Sequence, residues 1–355
     1  MNKKTLRSLC VAGLVSLAGT QFAAAAQPAC DSACLESYVE RYFDAVIANN
    51  PKLVPISPNV KFTEDGQRLL IGDGLWNTAK AKGKYRLFVT DVPAQQVAVL
   101  ATLQEDHRDA DKFNGVLIAL RLRIARGEIT EIEQMVVRSA SDNDNRTYNN
   151  VDKMATHPLY LTAVPANERA SRADLIAQGN KYFSGMQRND GMGDYNFTDD
   201  CVRHENGGQS TGAPAPAGQT VRPDPKTASN YSGQWGCKEQ FQSGLLHFVN
   251  RIRDRRFVAV DQERGIVFAF GFFDHSGGDT RKFKAHGRDI VAGPVQPWSW
   301  EIAEVFKLDK GNIRKIDAFL QRAPYGMNAG WSTWEQGMSD QARDVTHEQA
   351  SWISD

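Results

Sequence analysis

An internal repeat constrains this chain more than any other feature. Residues 35–49 read LESYVERYFDAVIAN and residues 175–189 read LIAQGNKYFSGMQRN, with Tyr42-Phe43 and Tyr182-Phe183 in matching places. In the first segment Leu35, Tyr38, Val39, Tyr42, Phe43 and Val46 recur at helical spacing. Downstream, Phe62-Thr63-Glu64-Asp65 matches Phe197-Thr198-Asp199-Asp200. Arg86-Leu87-Phe88-Val89 before Asp91 matches Arg256-Phe257-Val258-Ala259 before Asp261. Two apolar strands follow, VAVLATL from Val97 and IVFAFGFF from Ile266. The series ends with VLIALRLRIARGEITEIEQMVVR from Val116 against WEIAEVFKLDKGNIRKIDAFLQR from Trp300.

Each half therefore reads as a helix, a short polar segment and at least four strands in hairpin order. Gly127 and Gly311 serve the last tight turn. Hairpin order predicts an antiparallel sheet with its helices on one face, an α+β fold. The reading divides the chain into a leader (1–26), a first domain (27–140), an Asn/Asp-rich linker (141–167), a second domain (168–330) and a C-terminal tail (331–355). The span from the F-T-[ED]-D mark to the last turn glycine is 49 residues longer in the second half. Much of the excess is a Gly/Pro/Ala-rich loop, 208–236, read as a lid or as a surface insertion without a role.

The pattern resembles the nuclear transport factor 2-like superfamily, also called SnoaL-like. It resembles more closely a secreted family of unknown function with two such copies. The marks are Phe62-Thr63-Glu64-Asp65-Gly66, Gly72-Asp73-Gly74-Leu75-Trp76, Arg203-x-Glu205-Asn206-Gly207, and Tyr325-Gly326-Met327 before Gly330-Trp331. The resemblance implies two tandem cone-shaped domains, each a curved antiparallel sheet wrapped on N-terminal helices. The superfamily includes dehydratases, isomerases, epoxide hydrolases, lyases and plain binding proteins, so the fold does not choose among them.

Residues 1–26 read as a secretory leader, with Lys3, Lys4 and Arg7 before a small apolar run and Ala23–Ala26 at the cleavage site. Periplasm or medium is the expected location, with no stable membrane anchor. Removing the leader leaves four cysteines: Cys30, Cys34, Cys201 and Cys237. Three pairings are open; Cys30–Cys34 and Cys201–Cys237 are preferred. The spacing lacks a C-x-x-C or a His pair, so no metal and no cofactor are expected. Charge balances at 42 basic and 42 acidic residues, which gives no pull toward nucleic acid. Nucleotide-loop, nucleophile-elbow and zinc-protease motifs are absent.

The second half is the better place for a site. Six of seven Trp lie beyond residue 230, and four Phe share one predicted strand. Val116, Ile118, Leu120, Leu122 and Ile124 form one apolar strand face; the matching face is Trp300, Ile302, Glu304, Phe306 and Leu308. Glu304 replaces Leu120, and a carboxylate there should be desolvated and its pKa raised. Glu304, His204 and His275 are the candidate catalytic residues. Arg203, Glu205, Asp274, Trp300, Phe270 and Tyr325 are the candidate ligand contacts in a hydrophobic pocket. Arg203 and Glu205 could equally form a structural ion pair. Arg251, Arg253, Arg255 and Arg256 read as an edge or solvated face. The expected function is a cofactor-independent lyase or isomerase acting on a small apolar or aromatic molecule. The alternatives are a periplasmic binding or accessory protein without catalysis, and a structural module that self-associates through its sheets.

Overall fold

The computed structural model describes residues 29–107, 109, 112–138, 151 and 153–346. The expected leader, most of the first half of the linker, Trp352 and the rest of 347–355 lie outside the described residues. The architecture is mixed α+β, with two large curved sheets that do not close.

Asp31 caps helix α1 (Ser32–Ile47) by accepting from the Cys34 amide. Its apolar stripe, including Leu35, Val39, Tyr42 and Phe43, is buried on the first sheet. The sheet's strands are β1 (Ile56–Glu64), β2 (Gln67–Arg68), β3 (Ala79–Asp91), β4 (Gln96–Asp106), β5 (Phe113–Ala125) and β6 (Glu128–Val137). Short helix α2 (Leu75–Thr78) precedes β3, and the strand order is β2-β1-β6-β5-β4-β3.

Helix α3 (Arg172–Met186) is capped by Ser171 and packs on the second sheet. The strands are β7 (Phe197–Glu205), β8 (Gly208–Gln209), β9 (Arg251–Asp261), β10 (Ile266–His275), β13 (Trp298–Asp309), β14 (Asn312–Ala323) and β15 (Arg343–Asp344). Their order is β15-β9-β10-β13-β14-β7-β8. Helix α4 (Cys237–Gln242) precedes β9, and a hairpin of β11 (Lys282–Ala285) and β12 (Arg288–Val291) stands apart from the sheet. Helix α5 (Trp334–Met338) lies in the segment read as a tail, which also supplies β15.

Neither sheet is wholly antiparallel, contrary to the sequence reading. Strand β1 pairs parallel with β6, β7 pairs parallel with β14, and β15 pairs parallel with β9. The first strand of each series leaves its helix and returns beside the last strand, which hairpin logic cannot see.

The F-T-[ED]-D match also needs correction. Ile56 pairs with Ile129 and Phe197 with Ile313, then a register shift follows in both pairs. Beyond it, Phe62, Thr63 and Glu64 face Ile132, Glu133 and Gln134, while Arg203, His204 and Glu205 face Ile316, Asp317 and Ala318. Asp65-Gly66 and Asn206-Gly207 then take the same positive-φ turn. Phe62 therefore corresponds in register to Arg203 rather than to Phe197. The shift is the same in both strands, five residues facing two, so the two irregular strands correspond to each other and the letter match six positions away is not a structural one.

The faces opposite the helices meet each other. Leu87, Leu100, Leu117 and Met135 share a buried cluster with Phe268, Phe270, Val305 and Phe319. Beside it runs a buried ionic strip. Arg121 pairs with Glu131 (2.6 Å) and Glu133 (3.3 Å), and Arg256 pairs with Glu133 at 2.7 Å and Asp254 at 3.2 Å. The segment after β14 crosses this seam. Trp331 stacks under Arg121 (4.5 Å) and donates to Thr63, and Arg343 pairs with Asp254 at 2.8 Å. The expected solvated arginine face is thus overturned: Arg253, Arg255 and Arg256 are at most 3% exposed. Their counter-charges and acceptors come from distant segments, including Glu133, Asp274 and the Gly337 carbonyl.

Candidate functional site

Glu304 lies at the centre of β13, on the face that meets α3. Its neighbours on that face, Ile302, Phe306 and Leu308, belong to the second core, with Trp300 packed against it. Glu304 itself is 1% exposed. The sheet register places Ala269, Glu304, Ala318 and Glu205 in one row across β10, β13, β14 and β7. The two alanines leave room for a carboxyl between bulky neighbours.

Tyr182 descends from α3 onto this row. Its ring lies 5.2 Å from Phe306 and 5.3 Å from Phe241, and its hydroxyl favours the charged form of the Glu304 carboxyl. Arg203, 2% exposed, reaches the same hydroxyl through Nη1 at 3.3 Å. Its other donors go to Ser210 Oγ (3.0 Å), Tyr231 Oη (2.6 Å) and Gln240 Oε1 (2.8 Å), and it pairs with Glu205 at 3.0 Å. Glu304 Oε2 has no hydrogen-bond partner. Burial pushes the Glu304 carboxyl up to about 8, with Arg203 opposing and Glu205 reinforcing the rise. The group is thus a neutral acid at pH 7, held beside a phenol and a guanidinium.

The corresponding row of the first sheet reads Leu120, Gln134 and Glu64. There Tyr42 donates to Gln134 Oε1 (2.8 Å), and Gln134 donates to Glu64 Oε2 (2.8 Å). Glu64 also accepts from the Leu75 amide (2.8 Å) and pairs with Arg138 (3.2 Å). The polar position has moved by one strand between the sheets, from Gln134 to Glu304. Its hydrogen bonding is more complete in the first sheet.

Neither histidine joins Glu304. His204 follows strand alternation to the opposite face, where Nδ1 lies 2.6 Å from Lys315 Nζ. Burial, and then Lys315, lowers its pKa. His275 pairs across to Trp298 while Ala269 pairs with Glu304. Six residues of strand separate those rows, roughly 20 Å. The His275 ring is stacked between Phe248 (5.8 Å) and Trp298 (4.4 Å), and burial depresses it to about 4. Asp274 does not orient it. That carboxylate accepts from Arg251, from Arg253 (2.9 Å) and from Ser299 Oγ (2.6 Å).

Phe270 lies in the seam between the sheets, on the wrong face for a ligand beside Glu304. Tyr325 is 44% exposed, and its hydroxyl meets Ser276 at 3.2 Å. Arg203, Glu205 and Trp300 share the inner side with Glu304. The sequence reading missed Tyr182, Tyr231 and Gln240. The Tyr42/Tyr182 match was visible, but it read as core spacing.

Both preferred disulfides, Cys30–Cys34 and Cys201–Cys237, are present. The second closes the base of loop 208–236. Tyr231 of that loop caps Arg203, and Gln240 Nε2 donates to the carbonyls of Ser210 (2.6 Å) and Ser232 (3.2 Å). Trp235 is fully buried and donates to the Pro223 carbonyl. The loop encloses a cleft of 440 Å³ between Pro214, Pro223 and Tyr231. A larger cleft of 590 Å³ lies beside Cys30, Cys34 and Arg126 in the first half. Neither cleft includes Glu304. Among the described residues no cluster of His, Cys, Asp and Glu has the makings of a metal site, and no helix is long and apolar enough to cross a membrane.

Residues 168–320 match a family described as a domain of unknown function (DUF8021). No curated protein matches the chain.

Proposed function

We propose that the chain is an exported tandem of two nuclear transport factor 2-like units, and that the second unit binds a small molecule at Glu304. Support for the tandem comes from the shared strand order, from the parallel return of the first strand in each sheet, and from the matched turns at Asp65-Gly66 and Asn206-Gly207. Two disulfides favour an oxidising compartment. The observation that carries the ligand reading is Glu304 Oε2, a buried carboxyl oxygen without a partner, where the first sheet holds Leu120. A ligand oxygen that accepts from the neutral acid would complete it, and aromatic walls from Phe197, Phe241 and Phe306 suit an apolar or aromatic body. Entry requires loop 208–236 to lift Tyr231 from Arg203.

Catalysis is the second reading. A carboxyl near 8 beside Tyr182 suits proton donation of the lyase or isomerase kind. Glu304 would act without an imidazole, because His204 and His275 lie elsewhere. The test is native mass spectrometry of protein purified from the periplasm, for wild type and Glu304→Leu. A co-purifying small molecule lost in the variant supports the site, and an altered molecule after incubation supports turnover. Equal retention by both proteins rejects the site.

A further inference from the structure

We propose that Cys30–Cys34 is an exchangeable redox disulfide that reacts with dithiol substrates in the 590 Å³ cleft of the first half, while Cys201–Cys237 is a permanent structural bond. The two bonds occupy opposite surroundings. Cys201 and Cys237 are 4% and 1% exposed and belong to the second core. Their bond spans 36 residues and ties down a long loop. Cys30 and Cys34 are half-buried and line the cleft with Tyr38, Gln95, Arg123 and Arg126. A thiolate of a second molecule can reach them there.

The Cys30–Cys34 bond is also dispensable for position. It spans four residues, a closure that restricts the unfolded chain little. Gln95, in the β3–β4 turn, holds the Cys30 backbone independently: its Oε1 accepts from the Cys30 amide (2.7 Å), and its Nε2 donates to the Cys30 carbonyl (2.9 Å). Asp31 caps α1 between the two cysteines and fixes Cys34 at the third helical position. Both sulfurs would therefore stay side by side after reduction. Cys34 stands in the first turn of α1, where the free amides of a helix N-terminus stabilise negative charge.

The exchange balances without a cofactor. One thiolate of the dithiol attacks a sulfur of Cys30–Cys34, which breaks the S–S bond and releases the other cysteine as a thiolate. The second thiolate of the dithiol then attacks the mixed disulfide. The substrate leaves oxidised to its own disulfide, and Cys30 and Cys34 remain reduced with the two protons.

The experiment equilibrates the oxidised full chain with reduced and oxidised glutathione at graded ratios, blocks free thiols by alkylation and maps each cysteine peptide by mass spectrometry. Cys30 and Cys34 are expected to open at a ratio at least about tenfold less reducing than Cys201 and Cys237. A Cys30→Ser, Cys34→Ser double variant should keep the wild-type melting temperature. The single variant Cys34→Ser should trap glutathione on Cys30. Opening of both bonds at one ratio, a large loss of melting temperature in the double variant, or no mixed disulfide in Cys34→Ser would each overturn the proposal.

Discussion

Glu301 and Asp65, from different sheets, share one donor: Gln321 Nε2 lies 2.9 Å from Glu301 Oε2 and 2.8 Å from Asp65 Oδ1. Glu301 is buried and Asp65 half-buried. Burial first, and then Asp65, pushes Glu301 up to about 8; burial pushes Asp65 to about 6. These folded values exceed the unfolded values near 4. The folded state therefore holds more protons between about pH 4 and pH 8, and stability falls as pH rises through that window. The slope from one such group is about 1.4 kcal/mol per pH unit. Glu301→Gln removes that contribution, so the variant should match wild type near pH 4.5 and exceed it at pH 8. Urea unfolding at both pH values tests this; parallel curves for the two proteins would contradict it.

Glu304→Leu tests what the inner carboxyl does for the fold. A buried carboxyl with one unpartnered oxygen costs stability, on the order of 1–3 kcal/mol once it ionises. Leu120 shows that the same row accepts an apolar residue. The variant should be as stable as wild type at pH 6 and more stable at pH 9. The competing role is that of Gln134, which accepts from Tyr42 in the first sheet. If Glu304 only anchors Tyr182 in that way, Glu304→Leu should lose stability at every pH in thermal unfolding.

Asp274 serves the fold rather than His275. Its carboxylate is fully buried and neutralises Arg253, which is also fully buried. Asp274→Ala strands that guanidinium and should cost about 3–5 kcal/mol in chemical unfolding. His275→Phe should cost far less, because the imidazole is neutral and stacked between rings. A small effect of Asp274→Ala would show that water or the Gly337 carbonyl suffices for Arg253.

Much of the architecture was legible because it is periodic. The Leu120/Glu304 correspondence followed from strand phase, and burial of Glu304 agrees with it. The β1 and β7 registers were not legible, because an irregular pairing shifts residues without leaving a letter pattern. The arginines of β9 looked solvated because their partners, among them Glu133 and the Gly337 carbonyl, are remote in sequence. The His204 and His275 assignments failed for a geometric reason. Alternation sends His204 through the sheet, and six residues of strand carry His275 away from Glu304. Adjacent side chains of a strand point in different directions, so Asp274 meets arginines and Ser299 rather than its neighbour His275.

Arg203 is the clamp on loop 208–236, and removing it should free the loop without dissolving the core. Its guanidinium joins Tyr231 of the loop, Ser210 at the loop's start and Gln240 of α4 to Tyr182 and Glu205. Arg203→Met keeps the bulk of the stem but deletes every donor. The cost should be a few kcal/mol, because the hydroxyl of Tyr231 and the Gln240 carbonyl then lose a charged donor. Trp235 stays buried against Leu245 and Phe283, so the far end of the loop remains seated. Limited trypsin digestion should therefore cut the variant after Lys226, at least about tenfold faster than wild type. The Cys201–Cys237 bond should hold the two fragments together until a reductant is added. Equal cleavage rates in the two proteins would mean that the Tyr231–Arg203 bond does not govern the loop, and the entry route to Glu304 would have to lie elsewhere.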